Sequence, residues 1–564
     1  MALDKFGIAR VLREIGTLLD LEEGNRFRAR AYQRGADAVE ALRDDVGELV
    51  HGGRLTESAG IGEALASVIG EVHRTGQSRQ LAELRAKNPP GVLELSQVPG
   101  LSLARIRALH EALGITTIEQ LRAACETGRA RTVKGIGEKT EARLLEGIAR
   151  WERHDERMLL VDAVRLAEPM VASLRACPSA SRIDVVGAIR RFEETVPAIE
   201  LLAASSAPAL VMEQFERDAR ITRATRVGDD RVQARLAGGD IATLRVVDDE
   251  HYALALLRET GSQPHVSKLV AHARAEGIRF DSLTLDSEAA IYRALGLPFI
   301  PPELREDQGE LEAGLDGATF DDLVAFDDVQ GMVHCHTVYS DGRDTIEAMA
   351  RGAEALGMKY LTITDHSQAA HYAGGVDVDR LKQQWDEIAQ VQERVSVKLL
   401  RGTEADILDD GAIDWPDAIL ERFDVVIASV HSRMKMDEDT MTRRLVRAMR
   451  SPHFKIWGHA LGRLIQRRPP FACRVEEVLD AVAGSRAAIE VNGDPYRLDL
   501  EPRWIRAARA RGIPFVISTD AHSVSGMKAL RFGVGIARRG GLRRSEVLNT
   551  LDPQAFVAAV KPAA

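Results

Sequence analysis

The sequence predicts a multidomain protein of the α and α/β classes: a helical N-terminal region, a mixed α+β middle and a C-terminal (β/α)7 barrel. Three observations predict it. At 564 residues the chain is too long for one core. Residues 1–155 have helical periodicity almost throughout. From residue 330 onward, apolar runs of strand length alternate with amphipathic runs of helix length, the pattern that builds a parallel barrel.

Composition narrows the functional classes. Apolar content of 45% and charged content of 28% fit a soluble globular protein. No apolar run is long enough to span a bilayer, so no membrane partner is expected. The stretch Met1 to Arg10 carries Asp4 and Lys5 and lacks an apolar signal core, so export is not expected. Cys125, Cys177, Cys335 and Cys473 are scattered, with no CxxC, and read as buried free thiols in a reducing cytoplasm. A net charge of −10 argues against indiscriminate binding of nucleic acid, but not against a local basic surface. Residues 1–150 hold 22 Lys/Arg against 21 Asp/Glu, so the acidic excess lies further along, where a carboxylate-rich metal site would contribute to it.

In the helical region Ile8, Val11, Leu12, Ile15, Leu18 and Leu19 keep one apolar face. Arg26, Arg28, Arg30 and Arg34, with Phe27 and Tyr32 among them, form either a solvated helix face or a phosphate contact. A unit then recurs: an apolar lead, a tight glycine turn and a helix. It is seen at Gly60-Ile61-Gly62 before a run to about Thr75, at Pro99-Gly100-Leu101-Ser102 before a run to about Leu113, and at Lys134-Gly135-Ile136-Gly137-Glu138-Lys139 before a run to about Trp151. Glycine lets the backbone turn sharply and expose its amides, and amides at a helix N-terminus attract anions. The units resemble helix-hairpin-helix motifs, which grip the DNA backbone without reading bases. That resemblance implies DNA contacts at Gly60, Gly62, Gly100, Lys134, Gly135, Gly137 and Lys139. Ser102 makes the second unit the weakest.

The middle stretch Arg182 to Leu202 reads as strand, turn, strand. With Gly187, the pair Arg190-Arg191, Thr195, and Thr260-Gly261-Ser262 before a later helix, it resembles the nucleotidyltransferase core of family X DNA polymerases. That chemistry needs three carboxylates to hold two Mg²⁺ ions. The family's first carboxylate position is Ala198 here, the second is Glu200, and the third falls at Thr243. The serine expected to contact the triphosphate is Ala188, and the usual aromatic pair is Arg258-Glu259. The expectation is a polymerase fold whose nucleotidyl transfer is lost or nearly lost. Leu297 to Glu306 matches the end of that core, and the acidic segment Gly309 to Asp328 reads as a linker of short helices.

Beyond residue 330, apolar strands repeatedly end in a metal-type residue. The stretch His334-Cys335-His336-Thr337-Val338-Tyr339-Ser340-Asp341-Gly342 opens the series: in a strand, i and i+2 share a face, so both histidines can converge on one cation. Later runs end in Asp365-His366, Glu404, His431, His459, Glu490-Val491-Asn492 and Asp520-Ala521-His522, giving seven strands. Ile346–Leu356, Val378–Val391 and Trp504–Arg511 are amphipathic runs able to cover them. In a parallel barrel, strand C-terminal ends build the site.

This set resembles the PHP domains of polymerases and histidinol phosphatases. The resemblance implies nine ligands, His334, His336, Asp341, His366, Glu404, His431, His459, Asp520 and His522, around a cluster of three ions. The mixed nitrogen and oxygen set suits Zn²⁺ or Mn²⁺, with Mg²⁺ a lesser option. Such ions supply hydroxide for attack on phosphorus. Arg463, in Gly458-His459-Ala460-Leu461-Gly462-Arg463, is either a catalytic contact to a non-bridging oxygen or a plain surface arginine. Asp365 and Asn492 either orient ligands or cap loops, and Glu490 and Arg497 carry no assignment.

Hairpin motifs, polymerase-like core and PHP barrel together resemble bacterial and archaeal family X polymerases over nearly the whole chain. The expected division is a helical DNA-binding domain at 1–90, a fingers-like hairpin domain at 91–155, a degenerate palm and thumb-like region at 156–315, a linker at 316–329 and the PHP domain at 330–564. The resemblance implies a metal-dependent 3′→5′ exonuclease acting in repair on gapped, nicked or 3′-ended duplex DNA, as a monomer, in the cytoplasm at the nucleoid. Three other readings stay open: a gap-filling polymerase with editing, a phosphomonoesterase acting on a small molecule, and a non-enzymatic DNA-binding scaffold.

Overall fold

The structure is a computed structural model and describes residues 5–21, 26–40, 46–57, 60–88, 91–96, 98, 101–153, 157–236 and 239–562. The chain forms two compact units. One comprises Met1–Met158, Ala172–Ser179 and Ala207–Val246; the other comprises Leu159–Val171, Ala180–Ser206 and Val247–Ala564.

The smaller unit is mainly helical. Its helices include Lys5–Leu21, Arg26–Glu40, Glu63–Thr75, Arg79–Lys87, Leu103–Leu113, Ile118–Glu126 and Glu138–Arg153. The expected apolar face of the first helix is buried at Ile8, Leu12, Ile15, Leu18 and Leu19, in one continuous core that runs to Ile148. Ile61, Leu101 and Ile136, the apolar residues of the three hairpin turns, are buried in it. Helix starts follow local chemistry: Ser78 accepts from Leu81 N–H, and Thr117 forms a reciprocal capping box with Gln120. Strands Ile221–Val227, Arg231–Leu236 and Ile241–Val247 form an antiparallel meander.

The larger unit holds an antiparallel pair, Arg182–Val185 with Ile199–Ala204, and the helices Tyr252–Thr260, Gln263–Ala275 and Glu288–Ala294 around a core of Leu257, Leu269, Phe280, Ile291 and Tyr292. The barrel follows. Its strands are β1 (Gly331–Met332), β2 (Tyr360–Ile363), β3 (Lys398–Asp406), β4 (Val425–Ser429), β5 (Ile456–Trp457), β6 (Ala488–Asn492) and β7 (Phe515–Ser518). They lie in chain order and pair in parallel throughout. Apart from Lys398 and Arg401 of β3 these strands are buried along their length, as a sheet covered on both faces requires. The covering helices start where the sequence supplies caps: Thr345 for Ile346–Ala355, Asp377 for Val378–Gln392 and Asp437 for Glu438–Met449.

The first strand differs from expectation. The HxH pair is not within β1, which ends at Met332. His334 to His336 continue beyond it as an extended segment, in which Cys335 bridges Ala521 in parallel. His336 N–H donates to Ala521 C=O at 2.9 Å and Ala521 N–H to His334 C=O at 3.1 Å. These bonds close the barrel between its first and last strands. Buried Asn549 bonds across the same seam, donating to the carbonyls of Gly331 at 3.0 Å and Ile517 at 2.7 Å and accepting from Ile517 N–H at 3.0 Å. Such satisfaction of buried backbone groups is what a seam without a full ladder needs.

Candidate metal centre

Nine side chains converge beyond the C-terminal ends of the barrel strands. His334, His336 and Asp341 follow β1, His366 follows β2, Glu404 lies on β3, His431 follows β4, His459 follows β5, and Asp520 and His522 follow β7. Three groups bring one ligand atom each to within 4.8 Å of one another: His336, Asp341, His366 and His522; His334, His336, Glu404 and Asp520; and His366, Glu404 and His431. His459 Nε2 joins them 2.8 Å from Glu404 Oε1. Glu404 is central. Its Oε2 lies 3.4 Å from His334 Nε2, 3.5 Å from His336 Nε2 and 3.0 Å from His366 Nδ1, and its Oε1 lies 3.2 Å from His431 Nε2.

The residues fit a cation cluster. Two ligand atoms bound tetrahedrally at about 2.1 Å from one ion lie ~3.4 Å apart. The corresponding separations here include 3.5 Å for His334 Nε2 to Asp520 Oδ1, 3.2 Å for His336 Nε2 to the same oxygen, and 3.2 Å for His522 Nε2 to Asp341 Oδ1. His334 Nε2, His336 Nε2, His366 Nδ1 and Glu404 Oε2 are buried with no hydrogen-bond partner. Buried polar atoms without partners are costly, and a cation is the species that satisfies nitrogen lone pairs and a carboxylate oxygen together. His459 and Asp520 hold positive φ of 25° and 52°, backbone states that non-glycine residues avoid unless the surroundings enforce them.

Electrostatics point the same way. Burial opposes charge on His334, but Glu490, Glu404 and Asp520 outweigh it and hold the imidazolium well above its ordinary range. Burial, then the neighbouring charge of His366, pushes His336 down to about 3. Burial works against the charge on His431 and His522, but Glu404 and Asp406 raise the first to about 10, and Asp341 and Asp520 raise the second to about 9. Burial also opposes ionisation of Glu404, yet the surrounding histidines take it well below the usual carboxylate range. Metal ligation takes neutral imidazoles and ionised carboxylates, so binding of cations would be coupled to release of protons from the raised imidazoles.

Supporting residues fix the ligand rings. His334 Nδ1 lies 2.6 Å from Glu490 Oε1, and His431 Nδ1 lies 2.7 Å from Asp406 Oδ1, so the Nε2 atoms of both rings face Glu404. Carboxylates behind ligand imidazoles set their tautomer and raise their basicity. Glu490 also accepts from Ser518 Oγ, from Asn492 Nδ2 at 3.1 Å and from His459 N–H. Asn492 therefore orients Glu490, and its Oδ1 also accepts from Asp494 N–H at 2.8 Å. Asp365 serves the loop after β1, accepting from Thr337 N–H at 2.7 Å, Ser340 Oγ at 2.6 Å and Gln384 Nε2 at 2.7 Å. Sequence reasoning passes over Asp406. The available signal is its i+2 spacing from Glu404 on one strand, which places both on the same face.

Two arginines border the centre. Arg497 Nε lies 3.4 Å from Asp520 Oδ2, and its Nε and Nη1 are buried without a hydrogen-bond partner. Arg463 is engaged by the protein. Its Nη1 and Nη2 donate to Glu194 at 3.0 and 2.7 Å, Nη2 also donates to Leu498 C=O at 2.5 Å, and Nε donates to Arg497 C=O at 2.8 Å. Asp499 and Glu501 lie 2.8 and 3.3 Å away. The guanidinium that the sequence offers to a non-bridging oxygen is thus placed as a clamp on the loop that carries Arg497.

The hairpin residues divide. Gly60 and Gly135 have φ of 91° and 88°, and Gly60, Gly62, Lys134, Gly135, Gly137 and Lys139 are all exposed around buried Ile61 and Ile136. Gly62 is the residue before Glu63–Thr75, and a Cβ at Gly62, Gly135 or Gly137 would meet nothing within 4 Å. Gly100 lies outside the described residues, as do Pro99 and the backbone preceding Gly60 at residues 58 and 59. Arg28, Arg30 and Arg34 are exposed, while Tyr32 is buried and donates to Gln80 at 2.6 Å.

In the core, Gly187 backs directly onto the carboxylate of Glu200. Arg190 is held bidentately by Glu288 at 3.0 and 2.7 Å and donates to Thr260 Oγ1 at 2.7 Å. Arg191 donates to Glu306 at 2.8 Å, to Thr260 C=O at 2.7 Å and to Glu193. Ala198 lies just before the strand that carries Glu200, and Thr243 lies on Ile241–Val247 of the smaller unit. Asp184, on the strand Arg182–Val185, accepts from Tyr252 Oη at 2.7 Å.

Comparison with known proteins finds matches along the chain. The PHP domain model matches residues 333–493, a helix-hairpin-helix domain model matches 4–78, a SAM-like helix-hairpin-helix tandem model matches 92–150, and the DNA polymerase beta thumb model matches 255–306. The chain is 32% identical to a DNA polymerase/3′-5′ exonuclease PolX of Bacillus subtilis (strain 168), over 98% of this chain and 99% of that protein. It is also 27% identical to a probable phosphatase of Thermoanaerobacter sp. (strain X514) over 38% of this chain and 89% of that protein. A probable phosphatase of Caldanaerobacter subterraneus is 30% identical over 34% of this chain and 74% of that protein. Among the described residues, no helix is long and apolar enough to cross a membrane.

Proposed function

Since the chain belongs to the family X DNA polymerases that carry a C-terminal PHP domain, we propose that it acts on DNA ends as a metal-dependent 3′→5′ exonuclease through its barrel and has lost nucleotidyl transfer. One observation carries this reading: the barrel presents an uninterrupted nine-residue ligand set with orphaned buried atoms, whereas the core has alanine and threonine where its chemistry needs carboxylates. The relative from Bacillus subtilis is named for both activities, polymerase and exonuclease. The substitutions at Ala198 and Thr243 favour the second for this chain.

The roles divide as follows. The exposed hairpin glycines, with Lys134 and Lys139, take the duplex backbone of gapped, nicked or 3′-ended DNA. The nine ligands hold Mn²⁺ or Zn²⁺, as three ions, with Mg²⁺ a lesser option. When bound, the ions supply the nucleophile and the charge stabilisation for phosphodiester hydrolysis. Glu490 and Asp406 hold the rings of His334 and His431 correctly turned. Arg497, ion-paired with Asp494 and Asp520 at the edge of the ligand set, is placed to hold a non-bridging phosphate oxygen, and Arg463 keeps the Arg497 loop in position. The domain division at 1–90, 91–155, 156–315 and 330–564, a monomeric state and action at the nucleoid belong to the same proposal.

The test uses the full chain with Mn²⁺ and a 5′-labelled duplex with a recessed 3′ end. The expected result is a ladder of shortened strands that disappears in Asp520→Ala. A second reading, a small-molecule phosphomonoesterase, draws on the probable phosphatases that match the barrel. Turnover of p-nitrophenyl phosphate with no shortening of DNA would establish it in place of the first.

A further inference from the structure

Tyr372 is the most exposed large apolar side chain among the described residues, at 69%, and it stands at the metal centre. Its ring centroid lies 6.1 Å from that of His366 and 6.1 Å from that of His431, tilted by 62° and 61° to them. Those two histidines, with Glu404, form one of the three ligand groups.

The exposure is not that of a loose loop. Ser367 bridges Val376, Val376 N–H donates to His366 C=O at 2.8 Å, and Gly375 N–H donates to Ala370 C=O at 3.1 Å. Ala369 N–H donates to Asp414 at 2.7 Å, and Arg380 donates to the carbonyls of Gly374 and Tyr339 at 3.0 and 2.7 Å. Ala370 and Ala373, on either side, are buried. The loop is closed by its own hydrogen bonds and stapled to the segment after β1, and it holds an aromatic ring in solvent above a metal site. Leaving such a ring exposed sacrifices the burial an aromatic normally gains. A flat apolar partner that arrives with the substrate would recover it.

We propose that Tyr372 is a stacking platform for a nucleobase: it holds the terminal nucleoside of a DNA strand over the His366, Glu404 and His431 group and so selects a polynucleotide end over a simple phosphate ester. The inference rests on the exonuclease reading above. Stacking on an aromatic side chain is sequence-tolerant because every base has a π-face, which suits an enzyme that must accept whichever nucleotide stands at the end.

The test compares Tyr372→Ala, Tyr372→Phe and Tyr372→Trp in the full chain with Mn²⁺, on a recessed oligonucleotide and on the same oligonucleotide ending in an abasic residue. Tyr372→Ala is expected to lose about tenfold or more in kcat/KM on the base-ended strand, chiefly through KM, and to lose little on the abasic-ended strand. The Phe and Trp variants are expected to retain the preference for the base-ended strand. Equal loss on both strands, or no loss on either, overturns the platform while leaving the exonuclease reading in place. A wild-type chain that shortens neither strand overturns the exonuclease reading and the platform with it.

Discussion

Two polar clusters of the larger unit both set basic side chains against glutamates and stand in opposite states. In the core turn, Arg190 and Arg191 meet Glu288, Glu306, Glu193 and both oxygens of Thr260. In the barrel, His334 Nε2, His336 Nε2, His366 Nδ1 and Glu404 Oε2 are buried and unsatisfied. A lone buried polar atom costs roughly 1–3 kcal/mol, so a fold keeps several together only where a ligand satisfies them. Unmet bonds in a buried cluster, more than the presence of paired charges, mark where a ligand belongs.

Removing one metal-type residue from the barrel and one carboxylate from the core separates the two regions. His334→Ala or Asp520→Ala is expected to abolish shortening of DNA, whereas Glu200→Gln is expected to leave it unchanged, as read on a 5′-labelled primer. Next in size, Glu288→Ala leaves buried Arg305 and part-buried Arg190 without their carboxylate. A loss of about 3–5 kcal/mol in chemical unfolding is expected, with the metal content of folded protein unaltered. Glu490→Gln should then cost about 10–100-fold in metal affinity or activity, because His334 loses the carboxylate that orients it. A titration of Mn²⁺ reads that effect directly.

The smallest effect concerns a buried cation outside both clusters. Burial, then the charge of Arg486, lowers Lys455 to about 8, while its ammonium donates to the carbonyls of Met449 and Ser451. The unfolded chain binds the extra proton between about pH 8 and the ordinary lysine value, so stability should rise with pH across that window. Below about pH 8 both states are protonated and the slope vanishes. Lys455→Met should remove the rise seen in thermal melts.

Much of the fold, and the residues that converge in the candidate metal centre, are legible in the sequence. The barrel can be read because strand ends repeat a period and a residue type, and a ligand at a strand end is a local feature. The hairpin helices can be read because a glycine turn and an apolar lead are local too. What escapes is long-range. The partner of Arg463 is Glu194, 269 residues earlier, and nothing in a GHxxGR run points to it. Glu490 gains a role only once His334 stands 2.6 Å away. The end of β1 at Met332 is not legible either, since closure of the barrel by Cys335 and Ala521 pulls the HxH segment out of the sheet's regular ladder.

Whether the barrel rather than the core holds the working site is read by one primer assay run with and without dNTPs. A gapped duplex with Mn²⁺ is given to the wild-type chain, to His334→Ala and to Glu200→Gln. Shortening is expected in the wild type and in Glu200→Gln, none in His334→Ala, and no extension in any of the three. Extension by the wild type that disappears in Glu200→Gln would contradict this expectation.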